Sequence, residues 1–261
     1  MKLILAIGLL ALASCNNSDK KEAMSMPGAY TMLSQSANDG KKDTTFALVK
    51  QLKIYTADHM MYVNVNPADS VSSFGIATYT AAGDSVVENL IYGASDTSAS
   101  DKPGSFTLKI EKTPKGYKQV IPGMKWGDKT LDLIEDYETS GTTVTSPLDG
   151  AWKETKGYNI KGKDTTANMP TQYKTYYGGY FMFGHTYTDS THKMHTGTGF
   201  GTFAMTGTNK VKENVTASTY YQIRGKSFDI DIELKGADEF TQVITDPDGT
   251  KAVEIYQRLK K

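Results

Sequence analysis

The chain repeats itself once from end to end, and a repeat of that length restricts it to two copies of one fold. At an offset of 122, Gly28-Ala29-Tyr30 meets Gly150-Ala151-Trp152. At 121, Lys42-Asp43-Thr44-Thr45 meets Lys163-Asp164-Thr165-Thr166, and Lys53-Ile54-Tyr55 meets Lys174-Thr175-Tyr176. Phe74-Gly75 then meets Phe200-Gly201 at 126, which puts an insertion in the second copy around residues 185–196. Further on, Val86-Val87-Glu88-Asn89 meets Val211-Lys212-Glu213-Asn214, and Tyr117-Lys118-Gln119-Val120 meets Phe240-Thr241-Gln242-Val243. The last match, 129–137 against 251–259, sets Asp136 opposite Arg258. The units therefore run over 28–138 and 150–261, joined by a connector at 139–149 rich in Thr, Ser and Gly. A one-domain α/β enzyme would not repeat its whole sequence, so that class is excluded.

Each unit reads as all-β. Phe228, Ile230, Ile232 and Leu234 alternate with Asp229, Asp231 and Glu233, the period of a sheet that is apolar on one face. Turn residues such as Ala82-Gly83-Asp84, Gly127-Asp128 and Asp246-Pro247-Asp248-Gly249 punctuate both copies. Between the turns, copy one holds eight candidate strands near 28–34, 46–56, 59–65, 73–80, 84–92, 104–111, 116–122 and 129–138. An antiparallel meander of eight short strands closes into a barrel that leaves no exposed edge. The expected fold is two tandem eight-stranded antiparallel β-barrels; a pair of sandwiches would produce the same alternation.

Ahead of the repeats, residues 1–14 have the form of a lipoprotein signal peptide. Lys2 supplies positive charge, residues 3–12 are apolar, and Leu12-Ala13-Ser14-Cys15 fits a lipobox. The apolar run is half the roughly twenty residues a spanning helix needs. Lipidation of Cys15 would tether the chain to a membrane through several acyl chains, with 15–27 as the tether. The expected location is the cell envelope, at the outer membrane. Cys15 is the sole cysteine, so no thiol remains for a disulfide, a thiolate metal site or cysteine catalysis.

The opening Gly150-Ala151-Trp152 is the G-x-W of lipocalins. With Lys174, Phe181-Met182-Phe183, Gly199-Phe200-Gly201 and Glu213-Asn214, it makes both units resemble the lipocalin-like domains of bacterial lipoproteins of poorly defined function. The resemblance implies that a basic residue from the last strand packs across the tryptophan, a role for Arg258 in closing the barrel beside Gly150 and Trp152. Copy one departs from this pattern, with Tyr30 for the tryptophan and Asp136 matched to Arg258.

Glu88 and Glu213 each fall on the more apolar side of a strand, where a carboxylate is costly unless paired. Each is a candidate polar handle for a ligand or for an internal tyrosine or lysine network; the alternative is a solvated strand end or a carboxylate satisfied structurally. The histidines, His59, His185, His192 and His195, read as solvated rather than metal-binding, with three of them in the insertion beside Asp189. The clusters Tyr173, Tyr176, Tyr177, Tyr180 and His59-Met60-Met61-Tyr62 fit either a pocket for a flat or greasy ligand or plain core. No phosphate loop, His-Glu-x-x-His motif or Ser-His-Asp constellation appears, so neither cofactor nor catalytic residue is expected. Once Lys2 leaves with the signal, 28 basic residues face 29 acidic ones, a net charge of −1, and Arg224 and Arg258 are the only arginines. That is a poor supply for nucleic-acid contacts. The expected function is a membrane-anchored, non-enzymatic binder of a small apolar ligand, with an envelope interaction or structural module of filled barrels as the alternative.

Overall fold

The computed structural model describes residues 24–66, 72–95, 98–101, 104–141 and 144–261. The signal peptide, Cys15 and the tether as far as residue 23 lie outside the described residues. The first unit contains β1 (Gly28–Asn38), β2 (Asp43–Thr45), β3 (Lys50–Tyr55), β4 (His59–Val65), β5 (Ser72–Ala82), β6 (Ser85–Ser95), β7 (Ser98–Ser100), β8 (Ser105–Lys112), β9 (Gly116–Trp126) and β10 (Lys129–Thr139). The second contains β11 (Gly150–Lys161), β12 (Asp164–Ala167), β13 (Thr171–Tyr177), β14 (Tyr180–Thr188), β15 (Met194–Gly207), β16 (Lys210–Ser218), β17 (Ser227–Lys235), β18 (Glu239–Thr245) and β19 (Lys251–Arg258).

Each unit is a closed eight-stranded antiparallel barrel. In the first, the order β1-β3-β4-β5-β6-β8-β9-β10 closes through β10 pairing back onto β1. In the second, β11-β13-β14-β15-β16-β17-β18-β19 closes through β19 on β11. The repeated Lys-Asp-Thr-Thr segments form the short strands β2 and β12, flaps on the far ends of β1 and β11. Both first strands carry a bulge against the closing strand, at Met32/Ser34 and at Glu154/Lys156, where the strand bends to serve two neighbours.

Strand alternation places one residue set in the lumen and the other outside. In the first barrel the lumen core is built from Tyr30, Tyr55, Tyr79, Leu108, Tyr117 and Tyr137, and in the second from Trp152, Tyr176, Phe181, Phe203, Phe240 and Tyr256. A third core lies between the barrels. Leu52, Ile54, Met61, Val63, Phe74 and Ile76 point out of the first barrel and pack with Ala151, Tyr173, Met182, Phe200 and Ala217 of the second. Hydrogen bonds cross the same face, from Ser72 Oγ to Thr196 O (3.2 Å), from Thr196 Oγ1 to Ser95 O (2.8 Å) and between Tyr92 OH and Thr186 Oγ1 (2.7 Å). The two units are therefore docked to one another rather than strung on a loose connector. The connector is itself pinned, with Ser140 N donating to Ala29 O at 2.8 Å and Leu148 fully buried.

At Gly184 the second barrel lies directly against the Phe74 ring of the first. A Cβ at that position would lie 2.4 Å from Cγ of Phe74. Gly184→Ala should destabilise the protein by about 1–3 kcal/mol through overpacking, a change read by urea denaturation.

Two register expectations are corrected. Gly75 opposes Tyr62 and Gly199 opposes Phe183, so Gly75 corresponds to Gly199 and not to Gly201. Likewise Thr139 pairs with Tyr30 as Arg258 pairs with Trp152, so Asp136 is not the counterpart of Arg258. The reason is the last hairpin: 16 residues separate Gln119 from Glu135, whereas 12 separate Gln242 from Glu254.

Candidate functional site

Each barrel is sealed at one end and open at the other. At the sealed end the chain turns inward before its first strand, burying Met26 in the first barrel and Leu148 in the second. Met26, read from sequence as part of a polar tether, is thus core. The aromatic residue four positions on donates to that residue's carbonyl, Tyr30 OH to Met26 O at 2.9 Å and Trp152 Nε1 to Leu148 O at 2.8 Å. Arg258 lies 4.0 Å from the centre of the Trp152 ring and donates to Asp149 O (2.6 Å), Pro147 O (3.2 Å) and Ala237 O (2.7 Å). Gly150 has φ +148°, and a Cβ there would come within 1.9 Å of Arg258 Nη1, so only glycine fits beneath the guanidinium.

Above the aromatic base, each lumen holds a buried polar network with the same plan. In the first barrel Lys53 Nζ pairs with Glu88 Oε1 at 2.7 Å and donates to Gln119 Oε1 at 3.2 Å, while Tyr55 OH donates to Glu88 Oε1 at 2.5 Å. Gln119 Nε2 and Tyr137 OH donate to Glu135 Oε2, and Gln35 Nε2 donates to Glu135 Oε1 at 2.7 Å. In the second, Lys174 Nζ pairs with Glu213 Oε1 at 2.8 Å and donates to Gln242 Oε1 at 3.0 Å, and Tyr176 OH donates to Glu213 Oε1 at 2.6 Å. Gln242 Nε2 (2.7 Å), Tyr256 OH (2.6 Å) and Gln172 Nε2 (3.2 Å) all donate to Glu254 Oε2. Glu88 and Glu213 are therefore members of internal lysine and tyrosine networks, not solvated strand ends. Burial, and after it the adjacent glutamates, push the hydroxyls of Tyr55, Tyr137, Tyr176 and Tyr256 well above the usual tyrosine range.

Three of the lumen differences between the copies touch the polar network. The register sets Glu154 where the first barrel has Met32, and Gly157 where it has Gln35. His185 takes the place of Asn64, one strand residue beyond Gly184 as Asn64 is beyond Val63. His185 is not a loop residue: it lies in β14 with Nδ1 2.7 Å from Gln172 Oε1 and Nε2 2.6 Å from Tyr220 OH. Because the amide oxygen can only accept, Nδ1 carries the proton and Tyr220 donates to Nε2. Burial pulls its pKa down to about 4. His59 is also buried, with Nδ1 2.7 Å from Asp58, which corrects the expectation of solvated histidines; His195, beside Asp189, is partly exposed. Among the described residues no group of three or more His, Cys, Asp or Glu side chains gathers as metal ligands would.

Glu154 is buried, and neither of its carboxyl oxygens has a hydrogen-bond partner among the described residues. Burial, followed by repulsion from Glu254, raises its pKa to about 8. The folded state thus holds a proton here that the unfolded chain gives up near pH 4.5. Stability contributed at this position is complete below pH 4.5 and is lost as pH rises through 8. Glu154→Gln should accordingly raise the unfolding free energy by about 1–3 kcal/mol at pH 9 and leave it almost unchanged at pH 4.5, as measured by denaturant titration at the two pH values.

The open ends form cups. The first has a cavity of about 170 Å³, with Lys53, Glu88, Gln119 and Glu135 below and Leu90, Phe106 and Ile121 among its walls. The second is larger, about 270 Å³, with Lys174, Glu213, Gln242 and Glu254 as floor and Phe183, Val215, Phe228, Ile230 and Ile244 as walls.

Neither a family model nor a curated protein matches this chain. Among solved structures it is similar to a protein of unknown function from the DUF3598 family of Nostoc punctiforme. That similarity is at 11% identity over 89% of this chain and 96% of the other, with a TM-score of 0.22.

Of the residues singled out from sequence, Gly150, Trp152 and Arg258 meet at the sealed end, and Glu88 and Glu213 lie one in each lumen. Cys15 lies outside the described residues. Lys53, Gln119, Glu135 and their counterparts Lys174, Gln242 and Glu254 were not singled out as site residues. The signal was present in the repeated Lys-x-Tyr and in Gln119 against Gln242, polar residues kept at matched positions of an otherwise apolar strand. The tyrosine and methionine clusters divide by face: Tyr176 and Met60 enter the lumens, and Tyr173 and Met61 join the core between barrels.

Proposed function

We propose that this is a lipid-anchored, non-enzymatic cell-envelope protein of lipocalin-like kind, whose second barrel holds one small ligand with an apolar body. The observation that carries this reading is the 270 Å³ cup, which puts apolar walls above a buried polar floor. Sites for small molecules combine these features, a mostly apolar concavity with a few fixed polar groups, and this one lies just below the roughly 300–1,000 Å³ range of drug-sized ligands. The filled aromatic ends of both barrels act as scaffold, and the smaller cup of the first barrel fits a supporting role. Chemistry on the ligand is no part of the reading.

The test is native mass spectrometry of the chain purified from its own host. A reproducible extra mass that disappears in the cavity-filling variant Ile230→Trp is expected; a bare chain in repeated preparations would favour the scaffold alternative. Anchoring at the outer membrane rests on Cys15 and the lipobox before it. Cys15→Ser should move the chain from the membrane fraction to the soluble fraction and abolish incorporation of labelled palmitate. Retention at the membrane without label would remove the lipid anchor from this account.

A further inference from the structure

The two cups differ in how their second carboxylate is satisfied. In the first barrel both oxygens of Glu135 are capped, Oε1 by Gln35 and Oε2 by Gln119 and Tyr137. In the second, all three donors converge on Oε2 of Glu254, from Gln172, Gln242 and Tyr256, while Oε1 takes no donor among the described residues. The donor that would have capped it is missing because Gly157 stands where the first barrel has Gln35. A longer side chain cannot be restored there, since a Cβ on Gly157 would lie 2.1 Å from Asn168 O and 2.2 Å from Glu154 Oε1.

The charges around the cup bear on the same oxygen. The one lysine of the floor, Lys174, is spent on Glu213 at 2.8 Å. Glu254 forms no ion pair among the described residues; its three partners are neutral. Asp246 adds a further acid to the lining. Glu254 is half-buried, and its Oε1 has neither a donor nor a counter-charge among the described residues, which a bound cation with N–H donors would supply. The aromatic faces of Phe183, Phe228 and Tyr220 around the same cup suit a cation as well as an apolar body.

We infer that the second barrel selects a small amphipathic cation, an ammonium group on an apolar body, whose N–H donors meet Glu254 Oε1. This rests on the ligand reading above and specifies its head group. The first barrel, with Glu135 already capped, takes no such ligand.

The test is calorimetric titration of the full chain with three compounds that share one apolar body: 2-phenylethylammonium, 2-phenylethanol and 3-phenylpropanoate. The ammonium should bind once per chain and about tenfold or more tighter than the alcohol, with the carboxylate weakest. Glu254→Gln should weaken the ammonium by about tenfold while changing the alcohol by less than about twofold. Glu135→Gln should alter neither. Should Glu254→Gln fail to fold, the ranking of head groups on the unaltered chain decides alone. Alcohol or carboxylate binding as tightly as the ammonium, or loss of ammonium binding in Glu135→Gln, overturns the cation inference and leaves the ligand reading standing. If none of the three binds, the ligand reading falls and the inference with it.

Discussion

Lys174→Met should lower the unfolding free energy by about 3–5 kcal/mol, because it strands the buried carboxylate of Glu213 without its counter-charge. The pair sits at 2.8 Å with both side chains almost wholly excluded from solvent, so water cannot make good the loss. Removing one partner of a buried pair costs more than the pair contributes, since the remaining charge keeps its full desolvation penalty. It follows that Lys174→Met with Glu213→Gln should recover most of the deficit and lie within about 2 kcal/mol of the unaltered protein. The glutamine can still accept from Tyr176 OH, and the remaining deficit includes the donor that Lys174 gives Gln242 Oε1. Urea unfolding of the two single variants and the double variant measures the coupling. A single-variant cost below about 1 kcal/mol would mean that the pair is solvated like a surface salt bridge. The same cycle at Lys53 and Glu88 should give a coupling of similar size, because that pair is equally buried and 2.7 Å apart.

Trp152→Ala should also cost about 3–5 kcal/mol, the range for truncating a buried large aromatic side chain. The indole is fully buried, meets Phe240 edge-on at 4.7 Å, donates to Leu148 O and carries the Arg258 guanidinium on its outer face. Its loss opens a cavity, orphans a carbonyl and leaves Arg258 with nothing to stack on. The first barrel supplies the comparison. Tyr30 fills the same position and donates to Met26 O, but Thr139 rather than a basic residue stands opposite. Tyr30→Phe should therefore cost only the single hydrogen bond, about 1 kcal/mol. Thermal unfolding of the two variants side by side separates the contributions of the two sealed ends.

The eight strands, their antiparallel order and their duplication are legible in the sequence, because hairpin turns and period-two alternation are local signals. The strand carrying Phe228, Ile230 and Ile232 shows which face is the lumen, since its other face meets water. The strand carrying Gln51, Lys53 and Tyr55 does not. There the outward residues Leu52 and Ile54 are buried against the second barrel, so the apolar face is the outer one and the lumen face is polar. Alternation alone reads such a strand inside out. Docking of the barrels is a long-range event with no local mark, and it also hides the role of Gly184, which is small because Phe74 of the other barrel lies over it.

The misplacement of Asp136 against Arg258 has a similar cause. Matching charged, β-prone residues by sequence slides easily along a strand when the preceding hairpin differs in length, and only the pairing of Tyr30 with Thr139 sets the true register. His185 was placed in the insertion for the same reason. The added residues extend β14 and β15 as well as the turn between them, so the histidine keeps a strand position facing the lumen. The candidate site was half visible: Glu88 and Glu213 stood out as acids among apolar neighbours, whereas the lysines that neutralise them sit between residues that look like an ordinary exposed strand face.

The most direct measurement of the central claim is a high-resolution crystal structure of the chain purified from its own envelope. The account predicts two closed barrels docked through Phe74 and Gly184, with one compact ligand density in the second barrel, from Glu254 up to Phe228, and none in the first. A second barrel whose side chains are repacked across the cup, leaving no room between Phe228 and Glu254, would contradict it.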